Sequence, residues 1–207
     1  MKLNEHEWVV IVALGDSLTV GFQSSIGYGV VQDHPYTMKL ESLIRNHVEK
    51  TGKNKLGITI VNRGINGDST DGMIARFPWS VEAEKPTHVL IWGGINDTSS
   101  SRPLEHIMEN LSRLYELTLE IGALPIACTL TGIRGPSRAN DVIRTINQMI
   151  VKHCQEKNIL LADLYSSTID SEGTLDQKYS NDGVHLSNLG YDAVADALFT
   201  EVFEKIM

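Results

Sequence analysis

Only two cysteines, Cys128 and Cys154, occur in 207 residues, each inside an apolar segment and neither in a CxxC spacing. Their scarcity excludes a disulfide-stapled fold and a thiolate zinc cluster, and leaves two buried, reduced thiols as the expectation. Positive charge is also in deficit. The formal net charge of −8 argues against phosphate backbones or anionic membranes as main partners. No apolar run approaches the roughly 18 residues of a membrane-spanning helix. The opening "MKLNEHEWVV" carries acidic residues where a secretory signal needs a positive region, which points to a cytoplasmic protein. Repeats, low-complexity tracts and linkers are missing as well, so one domain over residues 1–207 is expected.

What is present alternates. With 42% hydrophobic residues the chain can fill a sizeable core. Five apolar runs recur, at Trp8 to Leu14, Ile58 to Val61, His88 to Trp92, Leu124 to Leu130 and Ile159 to Leu164. Between them lie helical stripes. The clearest is Leu104, Ile107, Met108, Leu111, Leu114, Tyr115, Thr118 and Ile121, with others in Met38 to Val48, Val142 to Ile150 and Tyr191 to Val202. Strands alternating with helices predict an α/β fold, a three-layer α/β/α sandwich on a five-stranded parallel sheet. The flavodoxin-like order 2-1-3-4-5 is the common one for five strands, and its ligands bind beyond the carboxyl ends of the strands.

The polar and glycine-rich clusters fall at those ends. "GDSLT" follows the first strand, "NRGINGDST" the second, "GGINDTSS" the third and "SNDGVHLSNLG" the fifth. Ser17 interrupts an otherwise buried run. An activated serine needs a base within hydrogen-bond reach and an acid behind that base, and Asp182 and His185 have the types and spacing for both. Acyl transfer also needs donors aimed at a developing oxyanion. The Gly64 amide, the Asn96 carboxamide and the amide of Ser17 itself are the candidates.

These four stretches resemble the sequence blocks of the SGNH hydrolase superfamily, the GDSL-type lipases and esterases, over nearly the whole chain. The resemblance implies that Ser17 of "GDSL" is the nucleophile. It implies that Gly64 of "NRG" and Asn96 of "GIND" donate to the oxyanion, and that Asp182 and His185 of "DGVH" act as acid and base. It further implies a serine esterase without metal or organic cofactor, acting on small acyl esters such as lysophospholipids, acyl thioesters or acetylated sugars. Asp16, Asn62 and Asp97 are expected to fix their loops. A G-x-S-x-G elbow is ruled out, because Thr19 stands where that motif needs glycine.

Each residue also has a plainer reading. Ser17 can cap a helix, Gly64 and Gly67 can be turn residues, Asn96 can sit in a turn, and Asp182 can cap the last helix, although Ser187 or Asn188 is better placed for that. His6, His34, His47, His88, His106 and His153 have no acidic partner at a spacing like that of His185. The loops expected to select the substrate are Val20 to Tyr36, Arg76 to Trp79, Thr98 to Arg102 and Thr131 to Asn140, with Phe22, Tyr28, Phe77, Trp79, Arg102, Arg134 and Arg138 as candidates. The alternative from another class is a non-catalytic flavodoxin-like module whose "GDSLT" loop holds the phosphate of a flavin.

Overall fold

An apolar strand with both faces covered lies at the centre of the sheet. In the computed structural model, which describes residues 7–24, 32–52 and 56–207, β1 (Glu7–Gly15) buries Ile11, Val12, Ala13 and Leu14 completely. His6 and Tyr28 lie outside the described residues. The neighbours β2 (Leu56–Gly64) and β3 (His88–Trp92) pair with β1 in parallel, followed by β4 (Leu124–Cys128) and β5 (Leu160–Ala162). The resulting order is β2-β1-β3-β4-β5, as predicted. Helices α2 (Tyr36–Lys50) and α7 (Asn188–Leu198) pack together on one face; α3 (Thr70–Ser80), α5 (Leu104–Glu120) and α6 (Arg138–Lys157) cover the other.

The helix boundaries have local causes. Serine caps start three of them: Ser69, Ser137 and Ser187 accept the N–H groups of Gly72, Ala139 and Gly190. Asn158 ends α6 in the left-handed conformation, φ 54°. The predicted stripe on α5 buries Ile107, Leu111, Leu114, Tyr115 and Thr118. Both cysteines are buried free thiols, as expected.

Three differences from the sequence reading matter. Strand β5 is only three residues long, because beyond Ala162 the pairing gives way to side-chain bonds, with Thr129 Oγ1 donating to Asp163 Oδ1 at 2.8 Å. Helix α7 runs on into a π-helical turn over Phe199–Phe203. The third difference is a correction: Arg76 to Trp79 is no substrate loop but the end of α3. Phe77 is core there, Arg76 is buried, and Trp79 is exposed at the end remote from the Ser69 cap.

Register fixes where the site-bearing loops start. Gly15 is paired with Gly64 on one side and Trp92 on the other, so β2, β1 and β3 end in one row. The Gly15 carbonyl accepts the Ile65 N–H at 3.1 Å and the Arg76 guanidinium at 3.0 Å. Arg76 Nε in turn donates to Asp68 Oδ2 at 2.7 Å, and both side chains are largely buried. Asp16 is buried beside this pair. Burial pushes its carboxyl from an ordinary 3.8 up to about 7, opposed by the Leu18 N–H and reinforced by the charges of Asp68 and Asp97.

Removing the cation should strand a buried carboxylate. Arg76→Leu is expected to lower unfolding free energy by about 3–5 kcal/mol, with Asp68→Asn in the same chain recovering part of it, both read from urea unfolding. A loss under about 1 kcal/mol would mark the pair as incidental. For Asp16, the folded chain keeps a proton between 3.8 and about 7 that the unfolded chain has released. Its contribution therefore favours folding at low pH and is lost as pH rises through that window. Asp16→Asn keeps an acceptor for Leu18 and removes the titration, so its urea midpoint should fall less steeply than the native one from about pH 4 to about pH 7. Parallel midpoints would show that Asp16 is ionised throughout.

Candidate active site

The chain turns from β1 into a single helical turn, α1 (Ser17–Val20). Its N-cap is Asp16, whose side chain accepts the Leu18 N–H at 2.9 Å, and not Ser17. Ser17 is therefore the first helical residue. The Thr19 and Val20 amides bond the Asp16 carbonyl, while the Ser17 amide takes no part in these bonds. Gly21, at φ 83°, ends the turn.

Residues 182 to 185 bring an imidazole to this serine. His185 Nε2 lies 3.2 Å from Ser17 Oγ, and His185 Nδ1 lies 2.8 Å from Asp182 Oδ2. The other oxygen, Asp182 Oδ1, accepts the N–H groups of Val184 and His185 at 2.8 Å each. Partial burial would raise the Asp182 carboxyl, but these bonds, the one to the His185 ring first among them, hold it below its ordinary value. An ionised Asp182 fixes the proton on Nδ1 and leaves Nε2 free to accept from the serine hydroxyl.

Ser180 and Tyr191, which sequence reasoning missed, and Phe22, expected there only as a substrate-selecting residue, hold this imidazole still. Ser180 Oγ accepts the Gly183 N–H at 2.8 Å and donates to the His185 carbonyl at 2.7 Å. The Phe22 ring meets His185 edge-on at 4.7 Å, and Tyr191 donates to the Phe22 carbonyl at 2.6 Å. Only Ser180 left a local signal, a hydroxyl two residues before Asp182 in "SNDG".

The remaining candidates gather on the same rim with their polar groups partly engaged. Gly64 donates its N–H to Asn62 Oδ1 at 2.9 Å, and Asn62 Nδ2 donates to the Thr19 carbonyl at 2.6 Å and to Thr37 Oγ1 at 3.3 Å. A Cβ at Gly64 would sit 2.4 Å from the Val20 nitrogen, so close packing of α1 on β2 already demands glycine there. Asn96, in α4 (Ile95–Ser99), gives one Nδ2 hydrogen to the Asp68 carbonyl at 2.9 Å. Buried Asp97 accepts the Thr70 N–H at 3.0 Å and the Thr70 hydroxyl at 2.9 Å, fastening the start of α3 to α4.

Other candidates are placed elsewhere or otherwise occupied. Arg102 pairs with Asp71 at 3.6 Å, while His106 and His34 have carboxylate partners across space, Asp71 at 3.1 Å and Asp192 at 3.0 Å, which sequence spacing does not reveal. Ser187, not Asp182, caps α7. Among the described residues no three His, Cys, Asp or Glu side chains are placed to hold a metal ion, and no helix is long and apolar enough to cross a membrane.

Comparison with known proteins bears on the chemistry. Residues 13–193 match the GDSL-like lipase/acylhydrolase family. An acetylxylan esterase of Geobacillus stearothermophilus is 31% identical over 162 residues, 72% of this chain and 74% of that protein. An arylesterase of Vibrio mimicus is 29% identical over 149 residues, 70% of this chain but only 66% of that protein's length. Among solved structures, the G. stearothermophilus acetylxylan esterase aligns with a TM-score of 0.76 at 24% identity over 97% of this chain and 96% of that one. A GDSL-like lipase of Bacteroides thetaiotaomicron aligns with a TM-score of 0.69 at 18% identity over 100% and 92%. At such identities these two likenesses concern the fold. Nothing in the family or in these relatives speaks for a flavodoxin-like binding module. With the family match spanning most of the chain, from within β1 into α7, this protein belongs to the GDSL-like lipase/acylhydrolase family of the SGNH superfamily, a family of carboxylic ester hydrolases.

Proposed function

We propose that the protein cleaves carboxylic esters, and thioesters by the same route, through an acyl-serine intermediate formed in a single hydrolase domain. The observation that supports this reading most is the unbroken line from Asp182 through His185 to Ser17, with contacts of 2.8 and 3.2 Å. Ser17 Oγ attacks the acyl carbon while His185 Nε2 takes its proton, and Asp182 steadies the resulting imidazolium. The same proton passes to the departing alcohol or thiol. Water then attacks the acyl-serine with His185 again as base, releasing the acid and restoring the serine.

The oxyanion needs donors that are free when charge develops. The Ser17 amide and the second Nδ2 hydrogen of Asn96 fit, since neither is engaged by a described residue. Gly64 joins them by sharing its N–H between Asn62 Oδ1 and the oxyanion. Asp16, Asn62 and Asp97 act through the loops they hold. Because two relatives bear the names arylesterase and acetylxylan esterase, 4-nitrophenyl acetate is a sensible first substrate.

Two measurements test the proposal. An organophosphonate should add once to the native protein, at Ser17, and not to Ser17→Ala, as read by intact mass and peptide mapping. A native protein left unmodified while a known serine esterase in the same tube reacts would remove the nucleophile. Asn96→Ala should lower kcat on 4-nitrophenyl acetate by about 10²- to 10³-fold with little change in KM, because the lost donor serves the transition state. Near-native kcat in a variant with an unchanged melting temperature would make Asn96 a turn residue only.

A further inference from the structure

One cation near the proposed machinery has no structural duty for its charge. Among the described arginines, Arg45, Arg63, Arg76, Arg102, Arg113 and Arg144 each face a carboxylate, whereas Arg134 and Arg138 face none. Arg138 opens α6. Arg134 stands in the loop that follows β4, and its N–H donates to the Gly183 carbonyl at 2.8 Å, which fastens this loop to the turn bearing Asp182 and His185. Its exposed side chain runs along Gly183: a Cβ added there would lie 3.3 Å from Arg134 Cβ, 3.5 Å from Nε and 3.7 Å from Nη2. Asp182 forms no ion pair with it and is paired instead with His185, while its Oδ1 accepts the N–H groups of Val184 and His185.

On the reading of Ser17, His185 and Asp182 given above, the position of this guanidinium has a direction. His185 Nε2 must hand its proton to the leaving oxygen, so that oxygen sits on the His185 side of the acyl carbon. Whatever is attached to it extends toward the 182–185 turn and the loop lying on it. The chain as a whole carries a net charge of −8 and repels anions, so a substrate with a negative group gains from one local cation at the place where that group arrives. A guanidinium is suited to this, since its planar fork pairs with a carboxylate or a phosphate through two parallel bonds. We infer that Arg134 selects esters whose alcohol portion carries an anionic group, pairing with that group as the leaving oxygen is placed beside His185.

The test uses acetyl esters that differ only in charge on the leaving group. Acetate release is followed from 4-acetoxybenzoate, from the neutral 4-acetoxybenzamide, and from 4-acetoxyphenyl phosphate, the third arm separating a carboxylate preference from a phosphate one. The quantity read is the ratio of kcat/KM, anionic over neutral. In Arg134→Gln this ratio should fall about 5-fold, the worth of one partly exposed ion pair, and Arg134→Lys should retain part of it. The native ratio should also shrink as salt is raised. Arg138→Gln removes an equal charge from the start of α6 and should change the ratio less. An unchanged ratio in Arg134→Gln overturns the inference, and so does an equal fall in Arg138→Gln, which would signal only the overall field. A protein that cleaves all three esters with such a result has lost the anion preference but kept the ester chemistry. One that cleaves none and resists the phosphonate has lost the proposed function itself.

Discussion

The carbonyl of Gly15 is the point on which the site-bearing loops converge. It ends the central strand one residue before the cap of α1, and it accepts both the amide that opens the loop after β2 and the guanidinium of Arg76. Arg76 passes the constraint on to Asp68, whose own carbonyl holds Asn96. Three segments distant in sequence are thus referenced to one backbone oxygen. A carbonyl with two lone pairs can serve two donors at once, and here it does so where water cannot compete, since Arg76 and Asp16 are both almost fully buried.

Much of this was legible in the sequence, for reasons that differ from part to part. Runs such as Val9 to Leu14 show their strands because a doubly covered strand must be apolar throughout, and the glycine and polar clusters at the strand ends then mark the rim. The pairing of Asp182 with His185 is local, so spacing reveals it. Helix α3 was hidden because Gly72, Arg76 and Pro78 break its apolar pattern, and Arg76 is buried there by its bonds to Asp68 and Gly15 rather than by hydrophobicity. The supports of His185 were hidden in another way. Tyr191 reaches it only through Phe22, a contact across 169 positions of sequence, and no local pattern records such a meeting.

The Asn62 side chain illustrates how packing and chemistry coincide. Its carboxamide ties β2 to α1 and to α2 through Thr19 and Thr37, while its oxygen holds the Gly64 amide. The glycine is required by the approach of α1 whether or not any substrate is ever bound. Steric need and a usable amide are two results of one close contact.

That bond from Gly64 to Asn62 has a consequence for how the proposed site tells substrate from transition state. A neutral ester carbonyl is no stronger an acceptor than the carboxamide oxygen already bonded to the amide, so it gains little by intruding. A full negative charge is a much stronger acceptor and can draw the hydrogen toward itself. If Gly64 serves as proposed, the resting bond would act as a threshold at this one donor: it would blunt recognition of the ground state and yield to the species on the reaction path, adding differential binding by competition to what the unengaged donors supply.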